Sequence, residues 1–262
     1  METRHISFDH TRLAVHLAGR GPLAVLVHGY PLDHRMWLDV MQGPLAKTRT
    51  LAAIDLRGHG QSPWCGDGVH AMTTFADDVA AVIRTLTDDP VDVVGLSMGG
   101  YAVQALWQEH RQLVRSLVLS NTRAGADSPP GRAARDAAIA TVAQKGRAAI
   151  AEAMLPKLLL PDADPLLVAR VRSMVEGTAC ETIVADLRGM KDRPDRTAML
   201  AEVAVPVLVV AGEHDALMPM AECEAMAKAA PHGRLAVVDG TAHMSPMERP
   251  DAWAEAVGEF WG

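Results

Sequence analysis

The sequence predicts an α/β protein in which a mostly parallel sheet is covered by helices on both faces. Three observations carry that expectation. Short apolar runs of buried-strand type, among them Leu23–Val27, Val91–Val94 and Val207–Ala211, alternate with helix-like segments. One such run passes through Gly95-Leu96-Ser97-Met98-Gly99 straight into the helix-forming Ala102–Leu106. From about Arg123 to Ala201 the rhythm changes: no strand-like run occurs, and amphipathic segments rich in Ala, Leu, Met and Arg are punctuated by Pro129, Pro130, Pro156, Pro161, Pro165 and Pro194. At 262 residues and 49% hydrophobic, the chain has ample material for a sizeable core.

In chain order, residues 6–17 alternate in strand fashion and His16–Pro22 reads as a turn. Leu23–Val27 is a buried strand that ends in His28-Gly29-Tyr30-Pro31, and a helix is expected from about Met36 to Lys47. The strand Thr50–Ile54 stops at Asp55-Leu56-Arg57-Gly58-His59-Gly60-Gln61-Ser62-Pro63. Thr73 or Thr74 is positioned to cap an amphipathic helix reaching about Leu86. Ser116–Ser120, Val205–Ala211 and Arg234–Val238 are further strands, and Asp251–Trp261 is the last helix. The expected division is a core of residues 1–122 and 202–262, with residues 123–201 forming a helical cap over the C-terminal edge of the sheet.

Composition narrows the function classes. A formal net charge of −7 and no basic run argue against nucleic acid as a partner. Cys65, Cys180 and Cys223 are odd in number and form no C-x-x-C pair, which fits a reducing compartment better than a disulfide framework. The charged start Met1-Glu2-Thr3-Arg4-His5 has no signal-peptide character, and no apolar stretch approaches the ~18 residues of a membrane span. A cytoplasmic protein without a membrane partner is expected.

The chemistry centres on Ser97. A serine oxygen pushed clear of its own backbone requires a sharp strand-to-helix turn, and side chains two residues before and after it would collide; Gly95 and Gly99 have none. A serine hydroxyl also needs a base, an orienter for that base and a site for the oxyanion. Gly212-Glu213-His214-Asp215 ends one strand with an acid, and Asp239-Gly240-Thr241-Ala242-His243 follows the last strand with a histidine. The order Ser97, Asp215, His243 is nucleophile, acid, base. Rival acids are weaker. Glu213 reads as a solvated charge, Asp239 is too near His243 in sequence to reach behind its ring, and Asn121-Thr122-Arg123, after Ser116–Ser120, supplies no carboxylate.

With these landmarks assembled, the chain resembles the α/β-hydrolase family with a helical cap over nearly its whole length. It is similar to small bacterial carboxylesterases, to enol-lactonases of the 3-oxoadipate type, and to the cofactor-free perhydrolase or aryl esterase group, notably in the loop from His28 to Asp33 and in Ser97-Met98-Gly99-Gly100. The resemblance implies a serine hydrolase acting on a small carboxylic ester or lactone through an acyl-enzyme, without cofactor or metal. It implies Ser97 as nucleophile, His243 as base, Asp215 as orienter, and the backbone N–H groups of Tyr30 and Met98 as the oxyanion hole. A serine rather than an aspartate at the turn disfavours dehalogenase and epoxide hydrolase chemistry. Thioester, peracid and C–C bond cleavage remain open on the same triad, as does a ligand-binding protein built on the scaffold.

For the substrate pocket the expected walls are Tyr30, Trp37, Met98, Leu217, Met218 and Met244, with Met154, Leu158, Leu159, Leu187 and Met190 from the cap. Arg123 and Arg188 are candidates to meet a substrate carboxylate. His28 and the Asp55–Ser62 turn are assigned structural roles, and His10, His34, His70, His110 and His214 are read as surface residues without metal-ligand spacing.

Overall fold

The computed structural model describes residues 1–262. Eight strands form one sheet: β1 Glu2–Phe8, β2 Thr11–Gly19, β3 Leu23–Val27, β4 Thr50–Ile54, β5 Val91–Leu96, β6 Val114–Ser120, β7 Val207–Gly212 and β8 Gly233–Val238. Their order is β1-β2-β4-β3-β5-β6-β7-β8. β2 is antiparallel to β1 and β4, and every other pair is parallel. Parallel neighbours require crossover connections, which are supplied by α1 (Leu38–Gln42), α2 (Met72–Leu86), α3 (Met98–His110) and α7 (Met220–Ala229). The helices cover both faces, which is why every residue of β5 and β7 is buried and why both read as largely apolar runs, the one charge in them, Asp92, being paired with Arg115 at 2.6 Å. After β8 come α8 (Ser245–Glu248) and α9 (Pro250–Trp261). No helix is long and apolar enough to cross a membrane.

Between β6 and β7 the chain forms α4 (Pro129–Leu158), α5 (Pro165–Gly177) and α6 (Cys180–Lys191), with no strand. Proline opens α4 and α5, and each helix is capped: Ser128 Oγ accepts from Gly131 N–H at 3.3 Å and Asp164 from Leu166 N–H at 2.8 Å. Gly146, at φ 72°, breaks α4 into two helical stretches. The segment is fastened to the rest of the protein at several points. Thr178 Oγ1 donates to Pro31 O at 2.9 Å, and Met244 N–H to Leu158 O at 3.1 Å. On its other flank Asp186 of α6 accepts from His59 Nε2 at 2.9 Å and from His70 Nδ1 at 2.7 Å, all three side chains being fully buried.

Several local expectations need correction. His16–Leu17 is strand, not turn: both residues pair with β1 and β4, and the chain turns only beyond Gly19. A hairpin at Asp9–His10 separates β1 from β2 inside what reads in sequence as one alternating run. The single helix expected over 36–47 is a 3₁₀ turn His34–Trp37, the short α1, and a second 3₁₀ turn Pro44–Lys47, because Gly43 is extended and Pro44 cannot continue a helix. α2 begins before Thr73, with Ala71 at its N-cap and no side-chain cap. His34 and His70 are buried, not at the surface.

Candidate active site

The parallel strands bring their C-terminal ends to one edge of the sheet, so loops far apart in sequence meet there. Ser97 stands between β5 and α3 with φ 53° and ψ −113°, a conformation that L residues rarely adopt. The turn is held closely. Ser97 N–H donates to Ser120 O at 3.0 Å, and Ser97 O accepts from Thr122 Oγ1 at 2.8 Å. The need for glycine on either side is steric: a Cβ on Gly95 would lie 2.3 Å from Gly99 O, and one on Gly99 would lie 2.3 Å from Val27 O.

His243 sits in the loop after β8 and Asp215 in the loop after β7. His243 Nδ1 donates to Asp215 Oδ2 at 2.8 Å, with both side chains almost wholly buried. Asp215 Oδ1 accepts from Leu217 N–H at 2.9 Å and Met218 N–H at 3.1 Å. Burial alone would raise the Asp215 carboxyl, but the bonds from His243, Asn121 and the Leu217 backbone outweigh it and hold the group below the usual carboxylate range. With Nδ1 so engaged, the other edge of the His243 ring is left for the cavity that both His243 and Ser97 line. The Ser97 hydroxyl makes no hydrogen bond within the protein, and none joins it to His243; such bonds commonly tighten only when substrate is present.

The loop 28–31 lies against the same turn, since a Cβ on Gly29 would come within 3.4 Å of Ser97 Cβ. Tyr30 N–H has no hydrogen-bond partner within the protein. Met98 N–H belongs to the first turn of α3, where donors lack intrahelical acceptors. His28 anchors this loop as a neutral ring: Nε2 accepts from Leu56 N–H at 3.1 Å and Nδ1 donates to Gly29 O at 2.9 Å.

The cavity has a volume of about 350 Å³ and mostly apolar walls. Of the expected lining residues, Tyr30, Met154, Leu158, Leu187, Met190, Leu217 and Met218 border it. Trp37, Met98 and Met244 do not, Met98 being fully buried at the start of α3, and this is a correction. Trp37 is fully buried against Trp253, their ring centroids 5.5 Å apart, because its 3₁₀ turn directs it into the core beneath α9. Met244 is also fully buried, the side chain after His243 pointing away from the cavity. Leu159 is buried outside the cavity as well. Arg123 borders the cavity, whereas Arg188 is exposed and donates to Gly68 O at 3.0 Å.

Asn121, which supplies no carboxylate, carries no catalytic signature in the sequence. It is fully buried at φ 47°, and its Nδ2 donates to Asp215 Oδ2 at 3.0 Å and to Ala242 O at 3.3 Å. Its Oδ1 accepts from Ser245 Oγ at 2.6 Å. It therefore ties the loops of the acid and the histidine together. Tyr101, Asp127 and Arg135 also border the cavity and were not anticipated.

Elsewhere, His16, His34 and Asp55 bring ligand-type atoms within 4.8 Å of one another. Hydrogen bonds already engage them: His16 Nε2 to Asp55 Oδ2 at 3.1 Å and His34 Nδ1 to Asp55 Oδ1 at 2.9 Å, with Gln61 N–H on Asp55 Oδ2 at 2.9 Å. The cluster acts as a knot joining β2 to the loops after β3 and β4.

Strand order, turn and loop placement together define a class. Residues 22–250 match the family described as alpha/beta hydrolase fold, and the chain belongs to that family. It is 30% identical over 244 residues to the pimeloyl-(acyl-carrier protein) methyl ester esterase of Neisseria meningitidis serogroup C, covering 90% of this chain and 91% of that protein. Among solved structures, a thermophilic esterase from Thermogutta terrifontis, described with malate bound, superposes with a TM-score of 0.94 at 33% identity, covering 100% of this chain and 98% of that one. The enol-lactonase from Burkholderia xenovorans LB400 superposes with a TM-score of 0.90 at 26% identity, covering 98% and 99% of the two chains.

Proposed function

We propose that this protein is a serine hydrolase that cleaves a small carboxylic ester or lactone through an acyl-enzyme. The observation that carries the reading is the 2.8 Å bond from His243 Nδ1 to Asp215, which leaves the opposite ring edge in the cavity that also holds the Ser97 hydroxyl. In the forward step Ser97 Oγ attacks the acyl carbon while His243 Nε2 takes its proton. Negative charge gathers on the former carbonyl oxygen, and the N–H groups of Tyr30 and Met98 stabilise it. The intermediate collapses, His243 returns the proton to the leaving alcohol, and the acyl group stays on Ser97. Water then attacks with His243 again as base, and His243 passes that proton to Ser97 Oγ as the acid leaves. Asp215 fixes the tautomer of His243 and stabilises the imidazolium, and Asn121 holds Asp215.

The helices of residues 123–201 serve as a cap: Met154, Leu158, Leu187 and Met190 give the cavity beside Ser97 an apolar wall. The methyl ester named for the Neisseria relative, and the lactone named for the Burkholderia neighbour, both fall within this substrate class. The test is a burst of p-nitrophenol from short-chain p-nitrophenyl esters, with covalent labelling of Ser97 by a fluorophosphonate. Both should vanish in Ser97→Ala; an unchanged rate in that variant sinks the proposal.

A further inference from the structure

Glu248, the last residue of α8, is a half-buried carboxylate that the hydrolytic steps leave without a task, and no arginine or lysine pairs with it. Both of its oxygens are nonetheless occupied. Oε2 accepts from Ala242 N–H at 2.8 Å, one residue before His243. Oε1 accepts from Leu160 N–H at 2.9 Å, just beyond the end of α4 in the cap. A second bond runs beside this bridge: Met244 N–H, one residue after His243, donates to Leu158 O at 3.1 Å. Leu158 itself borders the cavity. Residues 158–160 of the cap are thus spliced to the residues on either side of His243, and the Glu248 carboxylate is one arm of the splice.

The grip lies close to the imidazole. The Ala242 peptide is held on both sides, its N–H by Glu248 and its C=O by Asn121 Nδ2 at 3.3 Å. With Met244 N–H also engaged, the backbone is fixed immediately before and after His243, while Asp215 fixes the ring through Nδ1. Keeping an anion here is costly. Burial raises the Glu248 carboxyl above its ordinary value, although the N–H groups of Leu160 and Ala242 and the charge of His243 favour the ionised form. The attraction between Glu248 and His243 grows when the ring becomes positive, which in the proposed reaction happens as it takes the Ser97 proton.

We propose that Glu248 is a positioning residue for His243: it joins the histidine loop to the cap, so that one joint sets both the imidazole and the cavity wall, and its charge favours the imidazolium. The inference rests on the serine hydrolase reading of Ser97. Besides shaping the pocket, the cap is then part of what aims the imidazole at the Ser97 hydroxyl. A shift of about 1 Å at a reacting group can cost about a hundredfold in rate, so a bridge of this kind has kinetic weight without touching substrate.

Glu248→Gln tests the idea, since the amide has nearly the shape of the carboxylate but no charge and only one acceptor oxygen. On p-nitrophenyl acetate its kcat should fall about tenfold or more while KM stays within about threefold, the pattern of a loss felt in the transition state. Glu248→Asp, which keeps the charge on a shorter arm, should recover part of that loss. Val257→Ala in α9, a fully buried position outside the cavity, is the control for lost stability alone and should leave kcat unchanged. A further readout needs no turnover. The far-downfield NMR signal of the Nδ1 proton shared by His243 and Asp215, identified by its loss in His243→Ala, should broaden or move in Glu248→Gln and stay in place in Val257→Ala. A Glu248→Gln protein that loses stability only, with kcat and the downfield signal as in Val257→Ala, overturns the positioning role and leaves the hydrolase reading intact. A signal that depends on Glu248, where the wild type neither cleaves esters nor takes fluorophosphonate at Ser97, supports the positioning role and overturns the hydrolase reading.

Discussion

Replacing Ser97 separately by glycine and by alanine measures the strain stored in the turn. At φ 53° and ψ −113° the serine occupies a region where a Cβ is disfavoured, at a cost of about 1–3 kcal/mol for such residues. Both variants lose the hydroxyl, which makes no hydrogen bond within the protein, so its removal cancels between them. Alanine keeps the Cβ and the strain. Glycine relieves the strain but gives back roughly 0.5–1 kcal/mol through its greater freedom when unfolded. Ser97→Gly should therefore be more stable than Ser97→Ala by about 1 kcal/mol at the middle of these ranges, and by at most about 2.5 kcal/mol. For a chain of this size the middle value corresponds to about 2–4 °C in Tm. Urea unfolding and calorimetry on both inactive proteins measure the difference directly. A glycine variant no more stable than the alanine one refutes the view that the surrounding fold forces the serine out of its preferred backbone region.

Asp215→Asn should lower kcat on p-nitrophenyl acetate by about 10³–10⁴-fold with intact folding, because an amide offers His243 the wrong hydrogen-bond partner; circular dichroism and steady-state kinetics check both parts. Asn121→Ala strands Ala242 O and Ser245 Oγ, removes a donor from Asp215, and places alanine at φ 47°, so urea unfolding should show a loss of about 2–4 kcal/mol. The two buried histidines His28 and His59 give opposite pH limbs. Burial, then the charge of His59, push the His28 pKa down to about 4, so the unfolded chain takes up that proton first; its contribution is complete above about pH 6.5 and is lost toward pH 4, by about 3 kcal/mol. For His59 burial alone would lower the pKa, but Asp186 outweighs it and raises the group, so its contribution is present below about pH 6.5 and lost as pH rises through the folded value. Urea unfolding from pH 4 to 9 should therefore show an alkaline decline that His59→Gln removes.

Legibility in the sequence followed the range of the interaction. The β5–Ser97–α3 turn was plain because strand, glycines and helix are local and their steric demands fall within a few residues. Order along the chain also nominated Asp215 and His243, and the contact between them lies 28 residues apart in sequence. Asn121 was passed over because an amide has no chemical signature of its own; only the packing of three loops shows what it donates to. His34 and His70 read as surface residues because pairing with Asp55 and Asp186 leaves no trace in spacing.

By itself the sequence determined the parallel sheet, the sharp turn at Ser97 and the helical character of residues 123–201, since periodicity, glycine placement and proline punctuation act over short stretches of chain. Only the tertiary structure decided that Trp37 and Met244 turn into the core, that Arg135 and Tyr30 border the cavity, and that Asp186 ties α6 to His59 and His70. A side chain's direction relative to a cavity depends on how distant elements pack against it, and that packing is fixed by the whole fold at once.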